Sequence, residues 1–370
     1  MKRNTSIDYS NLDWIVISLT LFCTVFGIVI ISSAVNTMSG GTKYIIIQSV
    51  AAIVGICAMA IFAAIDYEDL GDLSKFIYGL CIVSLVMVLI IGIGRESTGS
   101  KSWIRFGPIG IQPSEFVKIG FIITFSAHVA SMKDDINRPA NVLKLLIHAG
   151  ILIFLILLQP DYGTALVFIC IMAGILFAAN ISWKYIAGAG GLMAAILPII
   201  WFFFLNETRK NRILVFLSPE SDPSGAGYHV LQSKLTIGSG QIFGKGLFHG
   251  TQTQLGYLPV KHTDFIFGVI GEELGIIGCI FVTTLLFALI FRILTNSRTA
   301  KNDFGSYICI GVAFMLIAHV FENIGMCIGL MPVTGIPLPF FSYGGSSLLT
   351  NLMSIGLVLS VYMRRKVINF

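Results

Sequence analysis

Residues 258–291 read LPVKHTDFIFGVIGEELGIIGCIFVTTLLFALIF, and the change of character at Asp264 indicates the entry of a membrane helix. A long polar stretch ends at this residue, and an apolar segment runs on to about Phe291. Crossing the hydrocarbon core takes about 20 apolar residues, so the segment is long enough to span a bilayer. Placing a carboxylate at the end of a membrane helix costs free energy, although the positive end of the helix dipole favours its ionised form. Asp264 is therefore the first candidate functional residue.

The composition extends this interpretation to the whole chain. Its 370 residues are 55% hydrophobic and only 12% charged, whereas soluble domains carry about 25% charged residues. The first apolar segment, residues 14–31, lacks a small-residue cleavage pattern and is predicted to be a retained span. Seven cysteines without a C-x-x-C pair are predicted to be free thiols. The modest net charge of +5 argues against a nucleic-acid partner.

The apolar segments predict an all-α integral membrane protein, a single polytopic domain over residues 1–370. Lysines and arginines in the short loops place both termini in the cytoplasm. One long, glycine-rich loop, 206–264, then lies outside between the seventh and eighth spans, and short amphipathic segments are expected within it. The ten predicted spans are roughly 14–32, 44–65, 73–94, 114–131, 143–159, 162–180, 184–205, 265–291, 305–330 and 345–363.

This orientation gathers several polar residues on the outer side. Glu115 and Lys118 open the fourth span and share a helix face, either as a snorkelling ion pair or as functional groups. Asp161, in the tight turn before the sixth span, could cap that helix or belong to a site. Trp103 and Arg105 lie in the outer loop before the fourth span.

Other polar residues lie deeper in the predicted spans. Glu272, Glu273 and Glu322 need partners at such depth, whereas the isolated histidines are expected to be structural. Prolines and glycines rule out a regular helix over residues 329–347, so this backbone must line a cavity or be buried in protein. Ser342 and Ser346 can donate hydrogen bonds there. No cluster of carboxylates or histidines marks a metal site in the sequence.

Four motifs in this sequence resemble those of the SEDS family (shape, elongation, division and sporulation proteins). Together they extend from the third span to the C-terminus. Within the family, residues 225–234 and 250–255 are similar to the elongation type, although Gln241 stands where a glycine is common and Val260 where acidic residues are frequent. The motifs are Asn323 with Gly329, Pro332, Gly335 and Ser342-Tyr-Gly-Gly-Ser-Ser347; His262-Thr-Asp-Phe-Ile-Phe267 with Gly271-Glu-Glu-Leu-Gly275; Gln112-Pro-Ser-Glu115 with Lys118; and Gln159-Pro-Asp-Tyr-Gly-Thr164.

The resemblance implies a peptidoglycan glycosyltransferase of the bacterial cytoplasmic membrane, working in cell elongation. It would polymerise lipid II, the undecaprenyl-pyrophosphate-linked precursor, on the outer face, together with a class B penicillin-binding protein. Asp264 carries over as the essential acidic residue, with Glu115 and Lys118 as supporting positions.

The mechanistic hypothesis makes Asp264 the general base that deprotonates the acceptor sugar hydroxyl in one inverting displacement. Charge on the departing pyrophosphate needs a cation, which could be Lys118, a nearby arginine, or a divalent ion such as Mg²⁺ or Mn²⁺. The metal stays an open question. The candidate substrate-binding residues are Trp103, Arg105, Asp161, Arg209, Arg212, Lys261, His262, Ser342 and Ser346.

Two alternatives stay open. A flippase or transporter for the lipid-linked precursor is compatible with ten spans, a broken backbone and intramembrane glutamates. The absence of repeat symmetry and the polar motifs on one side favour the enzyme. A division or sporulation member of the same family is the other alternative.

Overall fold

The computed structural model describes residues 12–93, 101–106, 109–199, 210 and 225–365, and nearly all of them lie in helices or short connections. The first half contains α1 (Trp14–Ala34), α2 (Gly41–Ala64), α3 (Tyr67–Asp72), α4 (Ser74–Ile91), β1 (Ile104–Phe106), β2 (Ile109–Ile111), α5 (Pro113–Ser131), a 3-10 turn (Lys133–Asp135), α6 (Pro139–Leu157), α7 (Tyr162–Ala178) and α8 (Trp183–Ile199). The second half contains α9 (Ala226–Ser239), α10 (Thr251–Gln254), α11 (Ile266–Thr299), α12 (Asp303–Cys327) and α13 (Gly345–Met363).

Within these described ranges, seven helices are long and apolar enough to cross a membrane: α1, α2, α4, α6, α11, α12 and α13. The prediction of a helical, multi-pass membrane protein is confirmed at this level. Helices also cover the described residues of the other three predicted spans. Of these, α7 and α8 have 17 residues each, and α5 has 19 and carries Glu115 and Lys118.

Local chemistry explains where several helices begin. The Asp13 side chain caps α1 by accepting from the amides of Ile15 and Val16, and Asn302 caps α12 through Gly305. Proline occupies the first helical position of α5 and of α6, where its missing N–H costs nothing. These caps satisfy amides that would otherwise be unpaired at helix ends.

The interior of the bundle is built on α12 and α13. In their apolar windows 67% and 78% of the residues are buried, against 17% for α4 and 22% for α2. The outer helices therefore present most of their apolar surface to lipid, whereas the polar side chains of α12 face protein. A polar site can form along α12 because neighbouring helices cover it on several sides.

Two features depart from the predicted spans. Residues 104–106 and 109–111, expected to be loop, form two antiparallel strands (the hairpin), in which Arg105 lies opposite Gly110. The eighth span is broken at Gly275, whose φ of 67° lies in the left-handed region. The amides of Ile276 and Ile277 donate instead to the carbonyls of Gln241 and Ile242, at 2.9 and 3.3 Å. A segment of the long loop thus satisfies the broken helix.

The long loop is itself ordered where it is described. It contains α9 and α10, which agrees with the expected short segments, although the apolar stretch at 213–217 lies outside the described residues. All seven cysteines are free thiols, as predicted.

Candidate functional site

Asp264 lies in the turn that leads into α11, and a single side chain of α12 fixes its backbone. Asn323 Nδ2 donates to the carbonyl of Asp264 and to the carbonyl of Ile336, both at 2.8 Å. Asn323 is fully buried. The Asp264 turn and the irregular segment before α13 are therefore attached to the same point of the central helix.

The irregular segment at 328–344 is stabilised by further side chains. The Ser342 hydroxyl donates to the Thr263 carbonyl at 2.6 Å and accepts from the Leu338 amide at 2.8 Å. The buried Gln48 of α2 donates to the Ser342 carbonyl at 3.2 Å and accepts from the Gly344 amide at 3.1 Å. Residues 336–342 of this segment are largely buried in protein, whereas residues 328–335 are half-buried or exposed. The Ser342 hydroxyl is engaged with the protein itself, and its proposed contact with substrate stays a prediction.

The carboxyl group of Asp264 is half-buried, and no cation lies within ion-pair distance in the described part of the chain. Desolvation raises its pKa to about 6, and a hydrogen bond from Thr263 opposes that shift. Its Oδ2 atom lies 3.5 Å from where a Cβ on Gly335 would stand, so the carboxyl faces the irregular segment. A carboxyl with a pKa near the working pH suits general-base catalysis.

The two residues before Thr263 have different surroundings. The Lys261 ammonium is buried and donates to the Thr253 carbonyl, and desolvation lowers its pKa. The His262 ring packs against Tyr44, with centroids 4.9 Å apart, and against Tyr343, at 5.6 Å. Burial, with the nearby Lys261, lowers the pKa of His262 and favours the neutral ring. The structure thus assigns Lys261 to the loop and His262 to an aromatic cluster.

Glu115 and Lys118 form an ion pair of 2.9 Å inside the bundle. Lys118 is only 1% exposed, so the snorkelling interpretation of this pair is wrong. Its ammonium also lies 2.8 Å from Nε2 of His319 on α12. His319 and Asn323 are four residues apart, about 6 Å along one face of the helix. The pair and the Asp264 turn are therefore linked through α12.

Asp161 performs the capping role and more. Its Oδ1 accepts from the Thr164 amide at 3.1 Å, which caps α7. Its Oδ2 accepts from Ser102 Oγ at 3.2 Å and from Gln112 Nε2 at 3.3 Å. The Gln112 amide in turn donates to Ser346 Oγ at 3.4 Å. Asp161 thus connects the hairpin, the start of α5 and the start of α13.

Two of the remaining predicted binding residues lie in or just before β1. Arg105 is exposed on β1, and Trp103 is half-buried with its backbone paired to Ile93. Arg209 and Arg212 lie outside the described residues.

Two of the deep glutamates have structural partners that the sequence did not identify. Glu272 pairs with Lys245 at 2.8 Å and accepts from the amides of Gln252 and Thr253, both at 2.8 Å. Glu273 accepts from Ser33 Oγ of α1 at 2.6 and 2.7 Å. The position of the two glutamates between Gly271 and Gly275 was the sequence signal that could have pointed to these structural contacts. These carboxylates attach the long loop and α1 to the first part of α11.

Glu322 is the exception among the deep glutamates. Its side chain is buried, and neither carboxylate oxygen has a hydrogen-bond partner in the described ranges.

The described ranges contain no group of three or more metal-ligating side chains. A divalent ion at Asp264 would therefore find no preformed cage of protein ligands among the described residues.

A sequence profile of the FtsW/RodA/SpoVE family, described as cell cycle protein, matches residues 11–367. This chain belongs to that family. The resemblance inferred from the motifs is confirmed for nearly the whole length of this FtsW/RodA/SpoVE protein.

Named relatives support the same assignment. Peptidoglycan glycosyltransferase MrdB of Escherichia coli (strain K12) is 37% identical over 372 residues, which cover 100% of this chain and 98% of the relative. Probable peptidoglycan glycosyltransferase FtsW of Trichlorobacter lovleyi is 36% identical and covers 94% of this chain and 92% of its own length.

Solved structures of the same fold are also found. A chain from a peptidoglycan synthase complex, described as coordinating polymerization and crosslinking, matches with a TM-score of 0.82 and 28% identity. The match covers 95% of this chain and 97% of that one. Rod shape determining protein RodA of Thermus thermophilus matches with a TM-score of 0.72 and 26% identity, covering 96% and 97%.

Proposed function

We propose that this chain is a peptidoglycan glycosyltransferase that polymerises lipid II into glycan strands during cell elongation. The name and full-length coverage of MrdB and the structural likeness to RodA support this function. The observation that carries the mechanism is the half-buried carboxyl of Asp264, free of any ion pair in the described residues, with a pKa of about 6. At neutral pH most of it is ionised and able to accept a proton.

The proposed topology has ten spans, with both termini in the cytoplasm and the 206–264 loop outside, in the bacterial cytoplasmic membrane. Lys133 and Asp303 form an ion pair of 2.7 Å, which joins the 131–139 and 299–303 connections at one end of the bundle. Asp264 opens the 34-residue helix α11, whose far end lies beside that connection. The continuous part of this helix after the break at Gly275, residues 276–299, is about 36 Å long, enough to cross a bilayer core. These observations support an outer position for Asp264.

In the proposed reaction, the hydroxyl oxygen of the acceptor sugar attacks the anomeric carbon of the donor. Asp264 accepts the proton of that hydroxyl as the new bond forms. The bond from that carbon to the lipid pyrophosphate breaks, and the pyrophosphate leaves with the electron pair. One displacement inverts the configuration, so no second nucleophilic carboxylate is required. Trp103, Arg105, Asp161 and Ser346 would contact the substrate from the hairpin side.

The cations divide into two groups. Lys118 is buried against Glu115 and His319, so we propose that this pair positions α12 and, through Asn323, the Asp264 turn. Arg105 is exposed and is a candidate for contacting the pyrophosphate, together with Arg209 and Arg212. Mg²⁺ or Mn²⁺ at the pyrophosphate stays a further proposal.

The partner that we propose is a class B penicillin-binding protein, which would cross-link the product. The likeness to a chain of a synthase complex that couples polymerization with crosslinking supports it. A flippase is less favoured because Glu272 and Glu273 are paired with groups of the long loop and of α1. Among the three deep glutamates, this leaves only Glu322 without a hydrogen-bond partner in the described residues. A role in division or sporulation is the remaining alternative.

The test is polymerisation of purified lipid II by the protein in detergent, with products separated by gel electrophoresis. We expect glycan strands without any other glycosyltransferase, and more of them when the penicillin-binding protein is added. Parallel reactions with EDTA, and with added Mg²⁺ or Mn²⁺, test the cation. Absence of strands under all conditions, together with transfer of fluorescent lipid II across liposome membranes, would instead support the flippase.

A further inference from the structure

Three aromatic rings from distant parts of the chain meet beside the Asp264 turn. Tyr44 comes from the first turn of α2, His262 from the turn before α11, and Tyr343 from the segment before α13. The Tyr44 and Tyr343 ring centroids are 5.1 Å apart, with the planes at 78°. His262 contacts both, so the three rings form one cluster, which we call the aromatic platform.

The platform is fixed to the catalytic turn by the backbone. The Tyr343 amide donates to the His262 carbonyl at 2.8 Å, and the neighbouring Ser342 hydroxyl donates to the Thr263 carbonyl. Asp264 follows His262 by two residues. The backbones of His262 and Tyr343 are therefore held next to the turn that carries the carboxyl that we propose as the base.

The platform is also open. All three residues are half-buried, so part of each ring is left uncovered by the protein. The hydroxyls of Tyr44 and Tyr343 make no hydrogen bond with any residue that the structure describes, and both remain available as donors and acceptors. Half-exposed tyrosines combine an apolar ring face with a polar edge.

Such a surface suits a pyranose ring. One face of a sugar carries C–H groups that pack on aromatic rings, and its edge carries hydroxyls that bind polar groups. We propose that the aromatic platform binds the acceptor sugar and presents its hydroxyl to Asp264. This proposal rests on the proposed glycosyltransferase function and adds Tyr44 and Tyr343 to the residues that bind substrate.

Two measurements on the full-length protein in detergent test the platform. The first is binding of chitotetraose, a soluble chain of N-acetylated sugars, by isothermal titration calorimetry, which needs no catalytic activity. The second is the KM and kcat for lipid II. We expect Tyr44→Ala and Tyr343→Ala each to weaken chitotetraose binding about tenfold or more, and to raise KM more than they lower kcat.

Conservative and control variants separate binding from folding. Tyr44→Phe keeps the ring and is expected to bind within a few-fold of the wild type. Tyr257→Ala removes an exposed tyrosine elsewhere on the long loop and is expected to change neither measurement. If an alanine variant fails to fold, Tyr44→Leu and Tyr343→Leu keep the bulk but not the aromatic face, and are expected to show the same loss.

The outcomes distinguish this proposal from the proposed function. Wild-type binding of chitotetraose that is lost in the folded alanine or leucine variants supports the platform, even if lipid II is not polymerised. Polymerisation by the wild type with unchanged KM and sugar binding in those variants overturns the platform and leaves the enzyme intact. No chitotetraose binding by the wild type also overturns it.

Discussion

Replacing Asn323 by leucine should uncouple the catalytic turn from the central helix. The asparagine amide supplies the hydrogen bonds at 2.8 Å to the carbonyls of Asp264 and Ile336. Leucine has similar size and no donor, so both carbonyls lose this partner in a site where Asn323 is 0% exposed. The Asp264 carbonyl would retain only a weak contact with Cys327 Sγ at 3.7 Å.

The size of the effect follows from the two stranded carbonyls. A buried group left without its partner costs about 1–3 kcal/mol, whereas a hydrogen bond within a membrane protein is worth about 0.6 kcal/mol on average. For two carbonyls in irregular backbone we expect a loss of about 2–4 kcal/mol in the free energy of unfolding. Polymerisation should fall about 100-fold, because a displacement of about 1 Å at a catalytic group has this effect.

Asn351→Leu is the matched control. Asn351 lies on α13 and is 1% exposed, but neither its amide nitrogen nor its oxygen has a partner in the described residues. The same substitution should therefore leave stability unchanged or raise it by about 1–2 kcal/mol. Unfolding of both variants in mixed micelles, with lipid II polymerisation, provides the comparison. Equal destabilisation by the two substitutions would refute the reasoning from partners.

Three further predictions concern buried carboxyls. The Asp264 pKa of about 6 lies above the value of about 4 in the unfolded chain, so ionisation destabilises the fold as pH rises through this window. Asp264→Asn should therefore raise Tm at pH 8 but not at pH 4. An equal rise in Tm at both pH values would contradict the raised pKa. Glu272→Ala should cost about 2–4 kcal/mol, because the Gln252 and Thr253 amides lose their buried acceptor and Lys245 loses its ion pair. It should also speed hydrogen exchange at residues 251–254, and unchanged exchange would show that other contacts hold this part of the loop. Glu322→Met should raise Tm, corresponding to about 1–3 kcal/mol, because it removes an unpartnered buried carboxyl, and a lower Tm would reveal a hidden partner.

The sequence predicted most of the helices because their signal is local. Apolar runs marked the spans, and Asp161 was predicted as a possible cap of the helix that is α7. The irregular segment before α13 was predictable for the same reason, since its prolines and glycines act where they stand.

The remaining features depend on contacts between distant residues. The break at Gly275 is stable because loop residues 241–246 pair with it, and nothing in the apolar run from 276 onward indicates that pairing. The burial of Lys118 depends on His319, about 200 positions away in the chain. No local pattern marks Tyr44 as part of a site, because its neighbours in the platform come from two other segments.

The central claim is that the Asp264 carboxylate is the base for glycan polymerisation. The most direct measurement is the rate of strand formation from lipid II by purified Asp264→Asn protein, with its fold checked by thermal unfolding and Asp264→Glu assayed alongside. We predict no strands from the asparagine variant, slow synthesis by the glutamate variant, and wild-type activity that declines as pH falls below about 6. Full-length strands made at the wild-type rate by folded Asp264→Asn protein would contradict this assignment.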